Sequence, residues 1–281
     1  MALVLALKPA RPAESFSHLY RAQECGGVGA PCMVSGRQYS VLFPKGEGPF
    51  PAVIFLHGSR GTGQRVIQSA FLVKPILERG YAIVVPTALE IEYRNGPGTR
   101  WVWNDAYYGR DDFEFIANML EDVLARFPVD PAQIVTTGHS RGGSFAWYLA
   151  FADIDPRLKA FAPIAGTPVR GKPGDCASAD FDFDMFYSHG HDDTVIPFAG
   201  SGSSWSDPGY MGAVEATLTL ASSAGCQKDE VVETDSHDQR ILSGCKTGST
   251  VSVIGYEAGH GVPSGRSDLM LDWFETVNAL E

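Results

Sequence analysis

Residues 134–150 read Ile-Val-Thr-Thr-Gly-His-Ser-Arg-Gly-Gly-Ser-Phe-Ala-Trp-Tyr-Leu-Ala. A β-branched strand runs into Gly138-His139-Ser140-Arg141-Gly142, and an apolar helix follows at once. A serine hydroxyl is a weak nucleophile, so it becomes useful only when the chain thrusts it clear of a sheet beside a base. A sharp strand-to-helix turn does this, and glycines two positions either side remove the side chains that such a turn would crush. The helix start aims its free amides at any negative charge that develops there. This stretch demands a strand, a tight corner and a helix in that order, which few folds supply.

The rest of the chain supplies them repeatedly. Tyr39–Phe43, Ala52–Leu56, Ala82–Val85, Ile134–Thr137, Phe161–Ile164, Met185–Ser188 and Val251–Gly255 read as short strands. Between them lie amphipathic helices. The clearest opens at Asp111 with Glu114 three residues on and carries an apolar stripe through Ile116, Met119, Leu120, Val123, Leu124 and Phe127 before Pro128 and Pro131. Ala213–Ala224 and Asp268–Leu280 are further helices. Strands alternating with helices predict an α/β fold, a mostly parallel central sheet with helices on both faces. Irregular loops are expected near 87–110, 166–183 and 199–212. Residues 21–281 read as one catalytic domain. Residues 1–20 read as a remnant of a secretion signal or as a frayed, flexible N-terminus.

The 33 Asp and Glu against 22 Lys and Arg leave a formal charge of −11. A nucleic-acid partner wants a basic face and an anionic lipid surface wants a basic patch, so both are disfavoured. No apolar run approaches the roughly 18 residues of a spanning helix, so no membrane insertion is expected. Cys25 with Cys32, and Cys226 with Cys245, have spacings that suit loop-closing disulfides of an oxidising compartment. Cys176 is left over. The oligomeric state is not legible.

After the strand at 52–56 comes His57-Gly58-Ser59-Arg60-Gly61-Thr62-Gly63, a loop able to point a backbone N–H at a carbonyl oxygen. The expected oxyanion donors are the amides of Ser59, with Arg60 as alternative, and of Arg141. In this arrangement an acid and then a histidine follow the serine along the chain. The best acid segment is Met185-Phe-Tyr-Ser-His-Gly-His-Asp-Asp-Thr-Val-Ile-Pro197, and Asp193 is preferred over Asp192. Asp175 and Asp180 lie in a loop without a preceding strand. Among seven histidines, His260 follows the last strand in a Gly-flanked loop and is the expected base. His57, His139 and His189 read as structural, and His191 and His237 as loop residues. No cluster has metal-ligand spacing and the chemistry asks for no cofactor. Trp101, Trp103 and Trp205, with Tyr107 and Tyr108, fall in the expected loops and are candidate substrate-stacking aromatics.

Leu56-His57-Gly58, Gly138-His139-Ser140-Arg141-Gly142-Gly143, His189-Gly190-His191-Asp192-Asp193-Thr194-Val195-Ile196-Pro197, the Gly-Cys pairs at 225–226 and 244–245, and Gly259-His260 together resemble the polyhydroxybutyrate depolymerase and feruloyl esterase family of extracellular α/β-hydrolases. The resemblance implies an α/β-hydrolase fold, secretion, a Cys226–Cys245 disulfide, hydrolysis of carboxylic esters, and Asp193 as the acid. Ser59-Arg60 stands where relatives often carry Cys or Gly, and no Trp follows the histidine segment. The acyl group stays open among feruloyl, acetyl and hydroxybutyryl, and the substrate among small molecules, plant cell-wall esters and polyesters. A peptidase of the same fold and a non-catalytic ligand- or carbohydrate-binding homologue are the alternatives.

Overall fold

The computed structural model describes residues 16–93, 95–103, 111–171, 182–202 and 209–279. Trp205, Tyr107, Tyr108, Cys176, Asp175 and Asp180 lie outside the described residues.

Among the described residues ten strands form one sheet: β1 (Cys32–Val34), β2 (Arg37–Leu42), β3 (Phe50–Leu56), β4 (Ala82–Pro86), β7 (Val129–His139), β8 (Ala160–Ile164), β9 (Asp184–Gly190), β10 (Lys228–Glu233), β11 (Asp238–Ser243) and β12 (Val251–Tyr256). Their order is β1-β2-β4-β3-β7-β8-β9-β12-β11-β10. The six inner strands from β4 to β12 run parallel, and an antiparallel pair flanks them on each side.

Successive side chains on a strand point to opposite faces, so a strand covered on both sides must be apolar throughout. In β3, Ala52, Ile54 and Leu56 enter one core while Val53 and Phe55 enter the other. The first core is closed by α3 (Asp112–Arg126), α4 (Arg141–Ala152) and α5 (Ala213–Ser223), through Met119, Phe145, Trp147 and Leu220. The second is closed by α1 (Gly63–Ile67), α2 (Ala70–Glu78) and α6 (Arg266–Asn278), through Ile67, Val73, Leu271 and Phe274.

The stretch expected as loop at 87–110 contains a hairpin, β5 (Glu90–Tyr93) and β6 (Gly96–Thr99). In Glu-Ile-Glu-Tyr the glutamates are exposed and Ile91 and Tyr93 share the half-buried face, while the partner Gly-Pro-Gly-Thr carries almost no side chain to pair with them; the Arg60 guanidinium lies 4.6 Å from the Tyr93 ring centre. Two disulfides close, Cys25–Cys32 at the β1 margin and Cys226–Cys245 at the β10–β11 margin. Among the described residues no helix is long and apolar enough to cross a membrane.

Candidate active site

β7 ends at His139 and α4 begins at Arg141, so Ser140 is the corner itself. It sits at φ 57°, ψ −122°, a strained conformation for a residue with a side chain. The corner is possible because its neighbours have no Cβ. One built on Gly142 would lie 2.0 Å from the Leu56 carbonyl oxygen, and one on Gly166 would lie 2.1 Å from that of Ser140. The Ser140 amide is anchored to the Ile164 carbonyl at 2.9 Å.

Asp193 and His260 follow neighbouring parallel strands, β9 and β12. Beyond the strand ends the backbone stays stitched: the His191 amide donates to the Tyr256 carbonyl at 2.9 Å and that of Asp192 to the Ala258 carbonyl at 3.1 Å. Gly190 allows this approach, since a Cβ there would lie 2.1 Å from the Ala258 oxygen. The result brings Ser140, His260 and Asp193 together. His260 Nδ1 lies 2.7 Å from Asp193 Oδ2, and His260 Nε2 lies 2.8 Å from Ser140 Oγ. A carboxylate only accepts, so Nδ1 carries the proton and the Nε2 lone pair faces the serine hydroxyl. Asp192 is exposed.

Asp193 is buried, and burial alone would push its carboxyl up. Hydrogen bonds from His260 and from the Ile196 and Val195 amides outweigh that and hold it below the usual carboxylate range. It is therefore an anion across the neutral pH range, able to stabilise a protonated imidazole.

The loop after β3 packs on the same corner: a Cβ on Gly58 would meet that of Ser140 at 3.5 Å. The Ser59 and Arg141 amides make no hydrogen bond to a described residue. The amide of Arg60, the alternative donor, is spent on the Thr99 carbonyl at 2.8 Å, and this corrects that expectation. His57 shapes the loop. Its Nδ1–H donates to the Gly58 carbonyl at 2.8 Å, and its Nε2 accepts from the Ala88 amide at 3.0 Å. Burial lowers it from 6.5 to about 4, so it stays neutral.

Trp101 is fully buried, which overturns its assignment as a substrate-stacking residue. Its indole N–H donates to the His57 carbonyl at 2.9 Å and its ring stacks on Phe145 at 5.1 Å, so it packs the loop down from beneath. Trp103 is half-buried, 4.3 Å from the Tyr148 ring, with the Arg141 guanidinium 3.5 Å from its ring centre. Burial lowers Arg141 to about 10, and its Nε–H donates to the Trp101 carbonyl at 3.0 Å.

Two histidines read as structural touch the site. His139 Nε2 donates to the His260 carbonyl, fixing the loop that carries the imidazole. His189 contacts Asp193 directly. The alternation of Tyr187 and His189 on one face of β9 is the only sequence signal that relates them. Among the described residues, no group of three or more His, Cys, Asp or Glu side chains is arranged to hold a metal ion.

The chain is similar to several known proteins. Feruloyl esterase C of Emericella nidulans is 25% identical over 245 residues, covering 83% of this chain and 79% of that one. A probable feruloyl esterase C of Aspergillus niger is 23% identical over the same shares. The solved acetyl xylan esterase from Aspergillus awamori superposes with a TM-score of 0.63 at 17% identity, over 86% of this chain and 94% of that one, and so shares the α/β-hydrolase fold. A family model described as Chlorophyllase matches residues 29–180, which hold the loop after β3, the Ser140 corner and more than half of the sequence. With that match spanning more than half of its length, the chain belongs to the chlorophyllase family.

Proposed function

We propose that the protein is a serine carboxylic-ester hydrolase that works through an acyl-enzyme on feruloyl or acetyl esters, the classes named for its relatives. The observation that carries the reading is the unbroken chain from Ser140 Oγ to His260 to Asp193, with 2.8 and 2.7 Å links and the serine held on a strained corner.

Ser140 Oγ attacks the ester carbonyl while its proton passes to His260 Nε2. The carbonyl oxygen becomes an anion, received by the amides of Ser59 and Arg141. Such donors each contribute about 3 kcal/mol to the transition state. Asp193 holds the imidazolium. The intermediate collapses as His260 returns the proton to the departing alcohol. Water, deprotonated by the same imidazole, then releases the acid and restores the serine. Of the expected aromatics among the described residues, Trp103 is the candidate to border the acyl group.

Two disulfides and the likeness to feruloyl esterases support export to an oxidising compartment, with residues 21–281 as the catalytic unit. The test is hydrolysis of nitrophenyl acetate, a feruloyl ester and a hydroxybutyryl oligomer by wild type and Ser140→Ala. The expected result is loss of at least about 10⁴-fold in kcat in the variant. Turnover surviving in Ser140→Ala would sink the reading.

A further inference from the structure

Asp193 is met by four donors. Oδ1 accepts from the amides of Val195 at 2.8 Å and Ile196 at 2.9 Å. Oδ2 accepts from His260 Nδ1 at 2.7 Å and also lies 3.0 Å from His189 Nε2. That same Nε2 lies 2.7 Å from the Ile196 carbonyl. Both neighbours are acceptors, so His189 Nε2 must carry a proton and fork it between them. The tautomer is set from the far side of the ring, where the Tyr187 hydroxyl hydrogen-bonds Nδ1. Since Nδ1 has no proton in this tautomer, Tyr187 donates. Both side chains are fully buried.

We propose that His189, with its tautomer fixed by Tyr187, is a positioning residue for the reaction: it holds Asp193 Oδ2 toward His260 and takes a share of its negative charge. This inference rests on the ester-hydrolase reading above. The reacting alcohol never touches His189, which acts through the carboxylate.

Physical chemistry favours the arrangement over a filler role. A buried imidazole is kept neutral by desolvation, and burial does hold His189 below the usual histidine range. Tyr187, also buried, is held well above the usual tyrosine range and keeps its proton. The titratable groups around His189 are Tyr187 from its own strand, Asp193 from the next loop, His260 from the loop after β12 and His139 from the end of β7. Phe198 closes another side, 5.7 Å ring to ring. A neutral N–H donor in such a pocket leaves Asp193 ionised without competing for its charge as a cation would. If the tautomer reversed, a bare lone pair would face both Asp193 Oδ2 and the Ile196 oxygen.

The experiment compares His189→Met, which fills the volume without a donor, with His189→Gln, whose amide nitrogen can replace Nε2–H. In the Met variant kcat falls between about tenfold and a hundredfold, since the acid loses one of its anchors. KM stays within about twofold, because the ground state does not use this contact. The acid limb of kcat/KM moves to higher pH, because the carboxylate's undivided charge then faces the protonated imidazole. The Gln variant recovers to within about threefold of wild type. Equal behaviour of Met and Gln, or a Met variant with the wild-type rate and profile, overturns the proposal. If the Met variant does not fold, Tyr187→Phe is read instead: the same movement of the acid limb supports it, and an unmoved profile overturns it. Nitrogen-15 NMR of histidine-labelled Ser140→Ala gives a readout without turnover. A neutral Nε2–H tautomer at His189 is expected, and an Nδ1–H tautomer refutes the inference even where the hydrolase reading stands.

Discussion

A single methyl group separates the serine corner from an impossible one. At Gly142 it would stand 2.0 Å from a backbone oxygen of β3, and at Gly143 2.5 Å from one of β8. No side-chain motion relieves a clash with backbone, which is why the pentapeptide is legible in the sequence alone. Trp101 was misread for the opposite reason. Gly96-Pro-Gly-Thr-Arg before it is polar and glycine-rich, and Val102 and Trp103 after it set no strand or helix period, so nothing local says that the indole turns inward to a carbonyl of His57. His57 itself makes a prediction at this scale. Its folded value is about 4 against 6.5 when unfolded. The unfolded chain therefore binds the extra proton, and stability from this group is complete above about 6.5 and drains as pH falls towards 4. The difference corresponds to about 3 kcal/mol. Urea unfolding at pH 7, 5.5 and 4 should show His57→Gln losing less stability across the range than wild type. Parallel losses would contradict the assignment.

At the scale of elements, α3 illustrates a start that local chemistry specifies. Asp111 accepts from the Phe113 amide at 2.8 Å and the Glu114 amide at 2.9 Å, covering two donors that have no partner inside the helix. Asp111→Ala should lower stability by about 1 kcal/mol with kcat unchanged, as read by chemical denaturation and assay together. A loss in kcat without a loss in stability would instead tie the cap to substrate. All seven inner or near-inner strands announced themselves by apolar runs. The marginal ones did not: β10 reads Lys-Asp-Glu-Val-Val-Glu and is exposed for most of its length, the pattern of an edge that discourages further pairing. α2 was illegible for another reason, since Pro75 sits inside it and removes an amide that a helix normally uses. The loops carrying Asp193 and His260 are legible as loops, but their backbone stitching is not, because it depends on β9 and β12 being neighbours across more than sixty residues of chain.

At the scale of the whole molecule, chemistry and reinforcement occupy different places. Ser140, Asp193, His260 and the loop after β3 hang from β3, β7, β9 and β12, all inner strands. The covalent links lie at the outer strands, with Cys226 and Cys245 nineteen positions apart and Cys25 and Cys32 seven apart. Loop closure of the longer kind is worth about 3 kcal/mol in the chain-entropy model. Full reduction should lower Tm by roughly 10 °C while leaving the initial rate at 25 °C unchanged, checked by calorimetry and ester assay with and without reductant. A rate that falls at once on reduction would mean that the margins hold the centre in shape. If the rate persists, thiol chemistry governs how long each molecule survives and not how fast it turns over. The same polypeptide would then be durable outside a cell and short-lived within one, a confinement of its hydrolytic power that needs no inhibitor.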